Sequence, residues 1–108
     1  MFLPNQRRDL PTYFAAFSNP TRLRMVERLA EVREESVNDL ARHLRMSQPR
    51  ISWHLRMLRV GGVVRTRREG RLVYCSLDRE SISRRQLELG ELLGLEPAQP
   101  MLSNEVNR

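Results

Sequence analysis

The stretch Ser47–Leu58, SQPRISWHLRML, decides how the chain is read. Ser47 is a helix-opening residue whose hydroxyl suits an N-cap, and Pro49 falls in the first turn, where its missing amide costs nothing. Ile51, Leu55 and Leu58 recur at helical spacing and mark one inward face. The other side carries Pro49, Arg50, Trp53 and Arg56. A core has no need of a tryptophan set between arginines on the outer side of a helix, so that side must face something else.

Working upstream, Ser36 is a second N-cap, with Asp39 three residues on in a capping-box-like place. It opens a short helix buried through Val37, Leu40, Ala41 and Leu44, and Arg45-Met46 makes the tight turn into the next helix. Downstream, Gly61-Gly62 ends the helix. The period then changes. VVRTRREGRLVYCSL, residues 63–77, has two β-branched runs around Glu69-Gly70, with Val64, Thr66, Leu72, Tyr74 and Ser76 placed for alternation. That is a β-hairpin with Arg65, Arg67, Arg68 and Arg71 at its tip and flanks.

The flanks are helical. Leu10, Tyr13, Phe14 and Phe17 share one helix face, and Asn19-Pro20 ends that helix and starts the next. In the second helix Leu23, Val26 and Ala30 are expected on the inner side, and residues 32–35, VREE, read as a polar link. Asp78 or Ser81 caps a last helix through about Leu93, with Ile82, Leu89, Leu92 and Leu93 as its apolar stripe. Residues 1–8 read as loose, and residues 94–108, with two prolines and little periodicity, as a flexible tail. The expected architecture is mainly α with a small β-hairpin, a winged helix-turn-helix in the order α-α-α-α-β-β-α, in one domain over residues 9–93.

Composition narrows the function. The chain of 108 residues is 40% hydrophobic and 30% charged, which is globular rather than disordered. No segment has the roughly 18 to 20 apolar residues of a membrane span, and the N-terminus lacks a signal-peptide apolar region, so a cytoplasmic location is expected. Cys75 is the single cysteine, which excludes an internal disulfide and a cysteine-cluster metal site within one chain. The net charge of +6 favours a polyanionic partner. All 19 basic residues are arginine. Arginine forks suit phosphates and guanine edges, and a GC-rich genome also favours arginine codons. No nucleophile–base pair, phosphate-binding glycine loop or paired-carboxylate motif is present, so an enzyme is not expected.

Two capped helices joined by a tight turn, followed by an arginine-tipped hairpin, suit double-stranded DNA: the second helix fits the major groove and the first braces it. Ser47, Gln48 and the exposed backbone amides at the helix start are placed for phosphates. Gln48 and Arg50 are placed for base edges, and Trp53 and Arg56 lie on the same outward side. Arg67, Arg68 and Arg71 are expected at an adjacent backbone or minor groove. Two readings from other classes are a winged-helix protein-interaction module and a nonspecific architectural DNA binder.

Residues 39–77, DLARHLRMSQPRISWHLRMLRVGGVVRTRREGRLVYCSL, resemble the winged-helix core of the ArsR/SmtB family of bacterial transcription regulators. SNPTRLRMVERL, residues 18–29, resembles the family's second helix, and the likeness covers roughly residues 10 to 93. The resemblance implies a homodimer, built mainly through the first and last helices, that binds a palindromic operator and represses. Tyr13, Phe14 and Phe17 in the first helix and Leu89, Leu92 and Leu93 in the last are the matching apolar surface. No cofactor is expected. The family's soft-metal motif places cysteines where this chain has Ser36 and Asn38, and soft metals need thiolates. The last helix carries carboxylates but no histidine for a zinc-type site. The inducer therefore stays open. Cys75 reads either as a small buried hydrophobe or as a redox switch in the hairpin. His54 reads as a structural hydrogen-bond partner of a neighbouring helix, and His43 as an ordinary helix histidine.

Overall fold

The computed structural model describes residues 4–95, with side chains from Asp9 onward. Five helices and three strands follow in the order α1 (Pro4–Phe17), α2 (Pro20–Val32), β1 (Glu34–Ser36), α3 (Val37–Leu44), α4 (Gln48–Val60), β2 (Val64–Glu69), β3 (Leu72–Leu77) and α5 (Arg79–Leu93). The mainly helical winged architecture expected from the sequence is present, with one strand more. Residues 94–95 close the last helix, and the remainder of the expected tail lies outside the described residues.

The capping chemistry sets the boundaries. Asn19 accepts a hydrogen bond from the Arg22 amide at 3.1 Å, and Pro20 follows in the first turn of α2. The Ser36 hydroxyl accepts from the Asp39 amide at 3.1 Å, and the Asp78 carboxylate from the Ser81 amide at 3.1 Å. Arg45 ends α3 in the left-handed region at φ 56°, and its amide returns to the Ala41 and Arg42 carbonyls. Gly94 ends α5 in the same region at φ 70°.

Three expectations change. The first helix starts at Pro4 and takes in residues expected to be loose, with Pro11 inside it. In α2 the buried residues are Arg22, Met25 and Leu29, while Leu23 and Ala30 are exposed and Val26 is only partly buried. The inner face of α2 is rotated from the expected one, because Arg22 makes its hydrogen bonds inward. Finally, residues 34–36 are strand rather than link. They pair antiparallel with β3, Glu34 opposite Ser76 and Ser36 opposite Tyr74, giving a three-stranded sheet in the order β1-β3-β2.

The core draws on α1 to α4 and the hairpin, with Ile82 of α5 packed against it. Met25, Leu29, Leu40, Ile51, Leu58, Val63 and Cys75 are fully buried. The hairpin closes with Glu69 opposite Leu72 around Gly70-Arg71, and Gly70 has φ +62°. Between α1 and α5, Arg85 reaches Asp9 at 3.1 Å, and the buried Glu88 lies 3.9 Å from Arg85.

Candidate nucleic-acid interface

Helix α4 is held in place by what it buries. Ile51, His54, Leu55 and Leu58 face the core. His54 does so through Nδ1, which lies 3.2 Å from the Arg22 guanidinium, the neighbouring-helix bond expected for it. Burial first, then Arg22 and Arg50, lowers the His54 pKa below its ordinary value. Arg22 is itself buried, and donates to the Ala16 and Ala15 carbonyls at 2.7 and 3.2 Å. One guanidinium thus ties the end of α1 to α2 and α4.

The outer side of α4 is exposed as expected: Ser47, Gln48, Arg50, Trp53 and Arg56 all lie open. The Ser47 hydroxyl accepts from the Arg50 amide at 3.3 Å. Trp53 is 55% exposed, with Arg22 5.9 Å from its ring centre and His54 edge-on at 5.1 Å. At 100° per residue Trp53 shares a row with Pro49 and Arg56, and Gln48 shares one with Ser52 and Arg59. Arg50 falls at the margin, on the His54 side.

The hairpin divides its arginines between two faces. Strand alternation puts Val64, Thr66 and Arg68 on one face and Arg65, Arg67 and Glu69 on the other. Thr66 and Arg71 line a cleft of about 240 Å³ with Gln48, Ser52 and Arg59 of α4 and Asn38 of α3. Among the described residues, Arg50, Arg56, Arg59, Arg68 and Arg71 form no ion pair.

Arg67 departs from its expected role. Two of its nitrogens bond the Glu34 carboxylate at 2.8 Å each, a third bonds Glu69 at 3.0 Å, and its guanidinium lies 4.6 Å over the Tyr74 ring. Its hydrogen bonds to Glu34 and then to Glu69 raise its pKa further above an already high value. It fastens β1 to the hairpin on the face turned from α4. Arg65 is likewise paired, with Asp78 at 3.2 Å.

Cys75 does not suit a redox switch. It is 0% exposed on the central strand, its thiol donates to the Glu35 carbonyl at 3.3 Å, and burial pushes it up to about 12. A thiol so protonated lacks the thiolate that oxidation requires. Its full burial on the central strand favours the packing reading.

Of the apolar residues expected at a dimer surface, Tyr13 belongs to its own chain's core, edge-on to Phe14 and Phe17. Phe17 and Leu89 are partly buried, whereas Phe14, Leu92 and Leu93 are exposed, as are Leu87 and Leu95.

The sequence reading missed Asn38, Ser52 and Arg59. The last two were signalled by their spacing from Gln48, which sets all three on one helix row. It also missed a cluster in which the buried Glu35 takes two bonds from Arg28, at 3.0 and 2.8 Å, and His43 stands at 2.9 Å. The Arg28 hydrogen bond is the main reason the Glu35 pKa is lowered. Among the described residues no group of three or more His, Cys, Asp or Glu side chains is placed to hold a metal, and no helix is long and apolar enough to cross a membrane.

Comparison with known proteins places this geometry. Residues 19–66 match the model of the bacterial regulatory protein, arsR family. The HTH-type transcriptional regulator KmtR of Mycobacterium tuberculosis is 37% identical over 87 residues, 81% of this chain and 65% of KmtR. The chain thus spans about two thirds of that relative's length. The transcriptional repressor SdpR of Bacillus subtilis is 35% identical over 65 residues, 60% of this chain and 71% of SdpR. Among solved structures, the homodimeric winged helix-turn-helix DNA-binding domain of a possible ArsR-family regulator from Mycobacterium bovis is similar with a TM-score of 0.66 at 26% identity, covering 88% of this chain and 89% of that one. With its capped recognition helix, its wing and a family match that runs from α2 through α4 to the start of the wing, this chain belongs to the ArsR family of bacterial regulatory proteins.

Proposed function

We propose that the protein is a sequence-specific DNA-binding transcriptional regulator, a repressor that binds a palindromic operator as a homodimer in the cytoplasm, where bacterial DNA lies. One observation carries the reading: Arg50, Arg56 and Arg59 on α4 and Arg68 and Arg71 on the wing stand exposed without ion pairs among the described residues, while Arg65 and Arg67 on the other face of the hairpin are paired. Open positive charge gathered on a capped helix and on the wing beside it suits a polyanion. SdpR's name as a repressor and the homodimeric M. bovis domain support repression and dimerisation. Gln48, Trp53 and Arg56 meet base edges, Arg50 reaches them from the margin, and Ser47, Arg68 and Arg71 meet the backbone. Phe14, Leu92 and Leu93 carry the dimer contact. With Ser36 and Asn38 at the cysteine positions, the signal is not a soft metal.

The test is a titration with the duplex upstream of the protein's own coding sequence against a scrambled duplex, at two salt concentrations, by anisotropy of labelled DNA and Trp53 fluorescence. Preference for the upstream duplex with strong salt dependence is expected. Equal binding to both duplexes would make it a nonspecific binder, and binding indifferent to salt would remove the phosphate-contact reading altogether.

A further inference from the structure

The cleft between α4 and the wing differs from the arginine-lined cleft on the back of the sheet. Its polar lining includes Asn38, Gln48, Ser52, Arg59, Thr66 and Arg71, contributed by α3, α4, β2 and the hairpin turn. No acidic side chain lines it. The second cleft, on the back of the sheet, is lined by Arg33, Arg65, Arg67 and Arg79 together with Glu34 and Glu80, and there Arg67 is bonded to Glu34. Arginine abundance is therefore not the distinction; the missing carboxylate is. Arg59 and Arg71 stand in the first cleft without an ion-pair partner among the described residues.

Two guanidinium groups sharing a cleft repel one another until an anion lies between them, and their planar forks match phosphoryl oxygens. The neutral amides and hydroxyls around them add donors. Leu55 and Val73 supply an apolar wall of the kind that a sugar face packs against. At about 240 Å³ the cleft is below the roughly 300 to 1,000 Å³ of sites that enclose a drug-sized ligand. Its size suits one group on a longer molecule.

We propose that this cleft is a phosphoryl-oxygen site that seats one backbone phosphate of bound duplex DNA, clamped between Arg59 of α4 and Arg71 of the wing. The recognition helix and the wing then straddle a single strand, and the wing fixes the helix's register in the groove. The proposal rests on the DNA-binding reading above and adds to it Arg59, which sequence reasoning did not assign.

The experiment measures duplex affinity against salt concentration for the full chain and for Arg59→Ala, Arg71→Ala and the back-face control Arg65→Ala, with far-UV circular dichroism to confirm folding. Because both arginines serve one phosphate, each cleft variant is expected to lower the slope of log affinity against log salt by up to about 0.9, which is at most about a 3.5-fold smaller loss of affinity between 50 and 200 mM salt. Arg65→Ala should keep the wild-type slope. Replacing single phosphates by neutral methylphosphonates should then reveal one linkage whose neutralisation weakens the wild type more than it weakens Arg59→Ala or Arg71→Ala. Wild-type slopes in both cleft variants, or no such linkage, would overturn the seat while leaving DNA binding intact. A wild-type protein that binds no duplex at 50 mM salt would overturn both. Inorganic phosphate at constant ionic strength is expected not to compete. Displacement of DNA by phosphate that Arg59→Ala abolishes would assign the cleft to free phosphate and overturn the duplex seat.

Discussion

The Arg22 guanidinium donates to Nδ1 of His54 across 3.2 Å of buried space, and the two residues are 32 positions apart in the chain. Arginine only donates, so Nδ1 must accept and the imidazole must be neutral with its proton on Nε2. The other guanidinium nitrogens are held by the carbonyls of Ala15 and Ala16 at the C-terminal end of α1, where the helix dipole favours a cation. The recognition helix is therefore seated by a bond that exists in one protonation state only.

Stability should follow that state. Burial, then Arg22 and Arg50, lowers the His54 pKa in the folded chain from 6.5, so the unfolded chain takes up a proton first as pH falls. The contribution is complete above pH 6.5 and is lost as pH falls from there through the lowered folded value. Urea midpoints measured from pH 8 to pH 5 should drop below pH 6.5 in the wild type and drop less in His54→Gln. Arg22→Ala should cost about 2–4 kcal/mol at pH 7.5, since it strands buried acceptors. Parallel pH profiles for the wild type and His54→Gln would count against the argument.

Gly61 and Gly70 should respond differently to alanine. A Cβ at Gly61 would stand 2.6 Å from the Ala16 Cβ and 3.1 Å from the Thr12 carbonyl, so α1 and α4 would have to move apart. Thermal or urea unfolding of Gly61→Ala should show a loss of about 1–3 kcal/mol. At Gly70, φ is +62° and nothing lies within 4 Å, so only the backbone penalty applies, about 1–2 kcal/mol. Gly61→Ala should also weaken DNA binding by displacing α4, whereas Gly70→Ala should leave it near wild type.

Arg67 and Arg68 are neighbours in sequence with opposite expected behaviour. Arg68→Ala should lower the salt slope of DNA binding by about 0.9, as for one lost phosphate contact. Arg67→Ala should leave the slope unchanged and instead loosen β1, because Arg67 holds Glu34. Faster amide hydrogen exchange at residues 34–36 would report that loosening; an Arg67→Ala slope change equal to that of Arg68→Ala would contradict it.

Cys75 should be inert in the folded protein. With no exposure and a thiol pushed up to about 12, alkylation by iodoacetamide at pH 8 should proceed only through unfolding, and peroxide should leave DNA affinity unaltered. Mass spectrometry of intact protein with and without urea distinguishes the cases. Rapid modification without urea would show that the strand opens.

The dimer contact should be sensitive at Leu92, which is 46% exposed in the single chain. Leu92→Arg should raise the dimer dissociation constant by about 30-fold or more, the effect of losing an interface anchor of about 2 kcal/mol. Sedimentation equilibrium would read the change, with an unaltered far-UV spectrum confirming the helices. A wild-type protein that sediments as a monomer at every concentration would exclude the homodimer.

Much of this was legible locally. Ser36 and Ser47 announce helix starts, Gly61 and Gly70 a stop and a turn, and the change from helical to alternating period at Val63 announces the wing. Trp53 was legible as outward-facing because a helix fixes the direction of each side chain relative to Ile51, Leu55 and Leu58. The inner face of α2 was misread because an arginine, not Leu23, turns inward. Hydropathy ranks Arg22 as a surface residue, and only the two carbonyls and the imidazole waiting for it reverse that ranking.

The sequence by itself determined the elements and their order, because caps, turns and periodicity act between residues a few positions apart. The tertiary structure alone decided which charges are used up and which remain open. Glu34 and Arg67 meet across 33 positions and Arg22 and His54 across 32. Strand β1 has three residues, too few to show a period, and it exists because β3 offers its edge. A guanidinium's role depends on whether a carboxylate stands beside it. That separates Arg67, paired at the back of the sheet, from Arg59 and Arg71, which line the cleft by α4 without an ion-pair partner among the described residues.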